Sequence, residues 1–542
     1  MVAPRPLEPP ALSIAGSSGP SRPNFLLLMP DQWRWDWDGA HEAELRTPNL
    51  EGLRTNGTGF PFGATVPSPL CAPSRACMAS LREYDDAGVA DNYANDYRVS
   101  EMPTYYSALQ AAGYHTMTAG KDDLTKFTRL GWRLGKSTHD AAKTYLAKEL
   151  GFTDSRRFLG KIEVLSKYPE PTDPFGWYLH SRSVTLSNGK AVNAFTVHAA
   201  CLGWKDVDPA LCEDASATPQ QLYQDDWTAA QAVELLQSAP AAKPWFLTVS
   251  FPGPHDPFEV TAAMASSVSG RKWPPSVDPT RREVPKHGGQ PSSKRSRSNY
   301  AAEIENLDRL FGVVLDAMRA RGHSTDTDTV VCVLSDHGEM LGDHGGKDKK
   351  KPWQGSLNVP LVCAGPGIRR GASLRLPVAS LDLGATILDL AGAKPAAGVA
   401  ARSFRGLLEG ANPASRNRTV VLSGLQESDG FASDGRLNRT DELLREPSST
   451  KEQEFSWRAA VMGDAASGAI YKYVCCKGEC PDAPSIVDKP DADGYTRVLF
   501  DTASDPYDMV DLKHELPHVA AKLQEALPRR HGFDCTGGEV VV

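Results

Sequence analysis

The chain contains no apolar run approaching the roughly 20 residues that a membrane-spanning helix needs, so no membrane span is expected. Cysteine is scarce. Ten in 542 residues is too thin for a disulfide-built scaffold. Positive charge is not in excess: 59 Lys and Arg face 67 Asp and Glu, a net charge of -8, which argues against a general nucleic-acid binder. The start of the chain, up to Pro23, is rich in Pro, Ser and Gly and lacks a basic stretch followed by an apolar block. Residues 1–22 are therefore expected to be a flexible segment rather than a signal peptide, and the compartment stays open between cytoplasmic and exported.

What is present is a globular composition, 40% hydrophobic and 23% charged, in a chain long enough for a large domain with a smaller companion. Continuous apolar runs at 25–29, 245–251, 329–334 and 359–364 have the texture of strands buried on both faces. Polar or turn-forming clusters follow them: Asp31-Gln32, His255-Asp256, Asp336-His337 and Gly365-Pro366-Gly367. Helical patterns intervene at 107–112, 227–236 and 300–319. This alternation predicts an α/β fold, an open sheet with helices on both faces, in which ligands bind beyond the carboxyl ends of the strands.

Residues 125–221 lose the pattern and read as a variable, loop-rich insertion that shapes a pocket within a main domain spanning 23–415. The loop 271–297 carries Arg271, Lys272, Arg281, Arg282, Lys286, Lys294, Arg295 and Arg297, and is read as solvated, with a lip for an anionic substrate as the second choice. From 416 to 542 short strands at 469–474 and 497–500 and a helix at 518–527 predict a small α+β domain. Cys332 and Cys363 lie in apolar runs and read as core residues, while Cys475, Cys476 and Cys480 suit a local bridge or a metal clip.

The stretch Pro67-Ser68-Pro69-Leu70-Cys71-Ala72-Pro73-Ser74-Arg75 delivers a thiol to the start of a helix expected over 74–83, with Pro73 at its first position. Cys71 then sits where free N–H groups and the helix dipole favour an anion, or else is an ordinary buried cysteine. Asp31, Asp336 and His337 can converge on one cation; a carboxylate at a strand end can equally cap a helix. Oxygen ligands favour calcium or magnesium, and His337 admits manganese or zinc. His255, in a Pro-rich loop, is either packed or a proton donor, and Lys121 and Lys349 could be surface charges.

Taken in order, these segments resemble the type I sulfatase family of the alkaline phosphatase superfamily. The likeness runs through residues 24–34, 71–82, 113–121, 243–258 and 300–345, and on through Gln354-Gly355-Ser356-Leu357-Asn358 to Leu499-Phe500-Asp501 and Asp505-Pro506-Tyr507. It implies a large, mixed but mostly parallel sheet sandwiched by helices, plus a C-terminal α+β domain with a short antiparallel sheet. It implies that a formylglycine-generating enzyme recognises the Cys71–Arg75 signature and converts Cys71 to formylglycine. One hydroxyl of the aldehyde hydrate would attack sulfur and release the alcohol; deprotonating the other would expel sulfate. Asp31, Gln32, Asp336 and His337 beside the modified Cys71 are implied to hold a divalent metal, calcium first, then magnesium or manganese. Arg75 would hold the hydrate, Lys121 and Lys349 the sulfate oxygens, and His255 would protonate the leaving alcohol or bind sulfate.

Lys349 is chosen over Lys347, Lys350 and Lys351 on its spacing from Gly345 and to Gly355. Four departures from the family stand out. Gln32 replaces a second acid; Asp123 stands where a histidine is usual; Ser80-Leu81-Arg82 replaces Thr-Gly-Arg; and Gln354 replaces a glutamate. Asp123, His115 or Lys126 would then have to supply the base that collapses the hydrate. The expected activity is hydrolysis of a carbohydrate, aryl or alkyl sulfate ester. A phosphonate monoester or phosphodiester hydrolase using the same site is the alternative, and a silent binding protein a third choice that the set of charged residues disfavours.

Overall fold

A computed structural model of the chain describes residues 22–90, 92, 102–124, 150–158, 160–165, 168–171, 173–213, 219–278, 294–412, 420–426, 456–529 and 533–536. Most of the N-terminal segment, Lys126, and residues 279–293 of the basic loop lie outside these.

Numbering only the strands of the two larger sheets, β1 is Asn24–Pro30, β2 Thr58–Gly59, β3 His115–Lys121, β4 Asp154–Phe158, β5 Trp245–Phe251, β6 Thr329–Leu334, β7 Leu361–Ala364 and β8 Ala372–Ser373. These form one eight-stranded sheet in the order β8-β2-β7-β6-β1-β5-β3-β4. The five strands from β6 to β4 run parallel, with Phe25 opposite Phe246 and Val330, while β7 is antiparallel to both β6 and β2. The helices that bear on the site are α1 Cys71–Ser80, α2 Tyr105–Ala111, α3 Gln224–Ser238, α4 Lys294–Ala320, α5 Asp382–Ala391 and α6 Pro517–Ala526.

Alternation along the strands divides the core in two. Phe25, Leu27 and Met29 meet α1, α2 and α5 on one face; Leu26 and Leu28 meet α3, α4 and the helix Pro48–Thr55 on the other. Both faces of β1 are buried, which is why its sequence is a run and not an alternation. The C-terminal sheet, β9 Val420–Gln426, β10 Ser456–Gly463, β11 Ile470–Lys477 and β12 Tyr495–Asp501, is antiparallel throughout. Trp457, Ala459, Val474 and Phe500 join the core cluster of the α1 face, and α6 covers the opposite side through Val519 and Leu523.

Several expectations are corrected. The segment after residue 150 is not loop alone: β4 adds a parallel edge strand, and helices Pro174–His180 and Ala194–Cys201 enclose their own core of Phe158, Phe175, Leu179, Phe195 and Trp227. Asp-Ser-Arg-Arg-Phe has no apolar run because an edge strand faces solvent and tolerates charge. Lys294, Arg295 and Arg297 belong to α4, not to a loop. Pro360 splits the expected strand 359–364 into Asn358–Val359 and β7. Cys332 and Cys363 are not merely packed: they face each other across the β6–β7 ladder and form a disulfide. Cys476 bridges Cys480 locally, but Cys475 reaches Cys535 and Cys201 reaches Cys212. Only Cys71 and Cys77 keep free thiols. Among the described residues no helix is long and apolar enough to cross a membrane.

Denatured without reductant, the protein is expected to titrate for no more than the two thiols of Cys71 and Cys77; a titre near ten overturns the pairings. Gly120, at the end of β3, has φ 100°, and a Cβ there would overlap the Ser250 carbonyl oxygen of the neighbouring strand. Gly120→Ala is expected to lose about 2 kcal/mol or more of stability, measured by denaturant titration; an unchanged midpoint would contradict this backbone geometry.

Candidate active site

Four strand ends, those of β1, β3, β5 and β6, and one helix start meet at the carboxyl edge of the sheet. β1 and β6 are neighbours, so Asp31 and Asp336 emerge side by side. Helix α1 begins at Cys71, two residues before Pro73, which is tolerated because the first four helical N–H groups have no intrahelical partner. The first helical bond runs from Ser74 N–H to the Leu70 carbonyl, and Asn92 accepts the Ala72 N–H at 2.9 Å. Leu70 is an extended N-cap whose side chain makes no capping bond. At the other end Leu81 takes φ 61°, a left-handed cap that more often falls to glycine.

Cys71 Sγ lies 3.1 Å from His337 Nε2 and 4.0 Å from Asp31 Oδ1. Ligand atoms of Asp31, Cys71, Asp336 and His337 all lie within 4.8 Å of one another, and all four residues are buried. The His337 ring is oriented by its Nδ1, 3.1 Å from the Gly338 carbonyl; a proton there leaves the Nε2 lone pair for the cluster. Asp336 Oδ1 accepts the N–H groups of Gln32 and His337 at 3.1 and 2.9 Å.

Cations surround these carboxylates. Arg75, one turn after Cys71 on α1, donates to Asp336 Oδ2 at 2.8 Å and Ser250 Oγ at 2.7 Å, and reaches Asp31 at 3.4 Å. Lys121, at the end of β3, pairs with Asp31 and, at 3.2 Å, with Asp123. Burial opposes ionisation of Asp31, but Lys121, His255, Arg75 and His337 hold its carboxyl well below the usual carboxylate range. Burial and Asp31 push the Cys71 thiol up; Lys121, Lys349 and His337 outweigh them and hold it well below the ordinary thiol range.

Lys349 Nζ donates to Gln32 Oε1 at 2.7 Å and meets His255 Nε2 at 2.5 Å. Asp348 and Lys350 on either side of it have φ 62° and 74°, a kink that turns Lys349 inward; Lys351 instead pairs with Asp482 at 3.2 Å. Lys349, the lysine expected from spacing, is the one placed beside Gln32 and His255. His255 Nδ1 lies 2.5 Å from the Asp256 carbonyl. Burial and Lys349 oppose a proton on His255, while Asp31 and Asp256 outweigh them and push its pKa up to about 9.

Gln32 takes φ 70°, with its amide nitrogen on Glu339 and its oxygen toward Lys349. Of the three residues considered for the missing histidine, Asp123 lies in the site, between Lys121 and Arg75. His115 sits at the opposite end of β3 beside Asp154, and Lys126 is outside the described residues. Ser250, Ser74 and Glu339 were not anticipated as site residues. Ser74 Oγ donates to the Asp336 carbonyl at 2.6 Å, and Glu339 accepts the Leu341 and Asp348 N–H groups.

A family model described as sulfatase matches residues 23–393. A choline-sulfatase of Rhizobium meliloti (strain 1021) is 31% identical over 398 residues, 68% of this chain and 68% of its own. An arylsulfatase of Clostridium perfringens (strain 13 / Type A) is 25% identical over 422 residues, 73% of this chain and 80% of its own. The crystal structure of a phosphonate monoester hydrolase of Agrobacterium radiobacter superposes with a TM-score of 0.63 over 93% of this chain and 94% of that one; at 21% identity this shows the shared fold alone. The extent of the family match and the identity to the choline-sulfatase settle the assignment: the chain belongs to the sulfatase family of the alkaline phosphatase superfamily, and is a sulfuric ester hydrolase.

Proposed function

We propose that the chain hydrolyses a carbohydrate, aryl or alkyl sulfate ester at the cluster around Cys71, with formylglycine at that position and a divalent cation beside it. The observation that carries this reading is the meeting of Cys71, Asp31, Asp336 and His337 inside a ring of Arg75, Lys121, Lys349 and His255.

The donor set suits a cation. Two buried carboxylates and an imidazole with a free Nε2 lone pair would hold it, joined by the Gln32 amide oxygen, which now accepts from Lys349. Oxygen-rich ligation puts calcium first, with magnesium or manganese next. When bound, the ion would supply Lewis-acid activation of the nucleophile. Formylglycine, installed by a formylglycine-generating enzyme on the Cys71–Arg75 signature, would supply a geminal diol in place of the thiol.

The remaining work falls to the chain's own side chains. Arg75 is clamped by Asp336 and Ser250, so it steadies the first turn of α1 and with it position 71. Lys121 and Lys349 flank the cluster and neutralise the sulfate oxygens as charge shifts onto them. His255 presents Nε2 to that space because Nδ1 is occupied by the Asp256 carbonyl, and it hands a proton to the leaving alcohol. At 2.5 Å Lys349 and His255 share one proton between their nitrogens, so a sulfate that contacts both would have to part them, and its charge would then let both stay protonated.

Gln32 favours a second reading, phosphonate monoester or phosphodiester hydrolysis. A neutral amide stands where many sulfatases carry a carboxylate, and such esters bring the same single negative charge as a sulfate monoester. Comparing kcat/KM for 4-nitrophenyl sulfate with that for the phenyl phosphonate and the phosphate mono- and diesters separates the two. The sulfate is expected to lead by at least about tenfold; the reverse order moves the assignment to the second reading.

Cys71→Ala and Asp336→Ala are expected to fold yet lose at least about 10³-fold in kcat. Exhaustive chelation is expected to abolish turnover, and added calcium to restore it. Near-native turnover in either variant would remove the site from where it is placed.

A further inference from the structure

A second buried charged cluster lies directly behind His255. Lys161, in the turn after β4, is only 2% exposed and spends its ammonium on the His255 carbonyl at 2.6 Å, on Glu303 at 3.1 Å and on Glu259 at 3.0 Å. An ammonium has three protons, so these contacts leave none for a substrate. The partners are anchored in turn. Gln224 of α3 donates to Glu259 at 2.9 Å, and Glu303 belongs to α4.

The rest of the loop is held at both ends. Asp225 of α3 accepts the Gly253 N–H at 3.0 Å, so closely that a Cβ on Gly253 would sit 2.6 Å from its carboxylate. At the far end Asn299 of α4 donates to the Phe258 carbonyl at 2.7 Å. Lys161 takes the middle of the loop, at His255 itself. Burial pushes the Glu259 and Glu303 carboxyls up and brings Asp225 to about 7, with Lys161 the cation that opposes the rise in each.

We infer that Lys161 is a positioning residue for ester hydrolysis: its grip on the His255 carbonyl fixes where the imidazole meets Lys349 and the leaving oxygen. The inference rests on the role proposed for His255. A displacement of about 1 Å in such a group can cost on the order of 10²-fold in rate. Lys161 belongs to the segment 125–221, and there that segment packs behind the His255 loop.

The test is a double-mutant cycle on formylglycine-bearing protein. Lys161→Met is paired with Glu303→Gln, which removes one positive and one negative charge together and leaves Glu259 to its hydrogen bond from Gln224; melting curves check that the chain is folded. The expected loss in kcat on an alkyl sulfate is roughly 10- to 100-fold, with KM changed by less than about threefold. In a His255→Ala background the same pair is expected to cost less than about threefold more, since the group being positioned is gone. Lys161→Gln, which keeps an N–H for the carbonyl, is expected to recover part of the loss. Losses that multiply in full, or no loss from the Lys161 change where His255→Ala is costly, overturn the inference alone. If His255→Ala itself costs nothing, the role proposed for His255 fails and takes this inference with it.

Discussion

Two carboxylates, Asp31 and Asp336, lie at a fully buried point where parallel strands end side by side, and the site is built around them. An unpaired buried charge costs several kcal/mol, so the fold surrounds them with Arg75, Lys121 and His337. Arg75 does so from the first turn of α1. Residues four apart share a helix face, so the face that delivers the guanidinium to Asp336 also delivers Cys71 to the same spot. The position of Cys71 is thus a consequence of charge compensation.

The C-terminal sheet contributes at one remove. Lys472 of β11 and Asp508 form a fully buried pair, and Asp508 also accepts the Gln354 N–H at 2.8 Å. Trp353 stacks edge-on against Phe500, and Trp457 donates to the Lys350 carbonyl at 3.1 Å. These contacts hold the stretch from Lys350 to Gln354 that directly follows Lys349. The sheet and the active site therefore share one packing problem, as their common apolar cluster shows.

Residues whose environment is symmetric were legible in the sequence. β5 and β6 were read to the residue because strands buried on both faces must be apolar throughout. The strand ends then marked Asp31, Asp336 and His255 as candidates, beside the plainer readings of a helix cap and a packed histidine. β3 was not read as a strand, since His-Thr-Met-Thr-Ala-Gly-Lys buries threonines and shows neither a run nor alternation. β4 hid for the opposite reason, as a charged edge. The cysteines misled because count says nothing of proximity: Cys332 and Cys363 are paired by the β6–β7 register, a long-range fact. Lys161, Asp225 and Glu303 carry no local signature at all. Each looks like a surface charge until the fold brings three separate segments together behind His255.

The account turns on what occupies position 71 in working enzyme. Mass spectrometry of the peptide carrying that position, taken from protein that turns over a sulfate ester and treated with an aldehyde-capturing hydrazide, addresses this directly. The account predicts an aldehyde that the hydrazide captures, in proportion to the active fraction. An intact Cys71 thiol in fully active protein would contradict it.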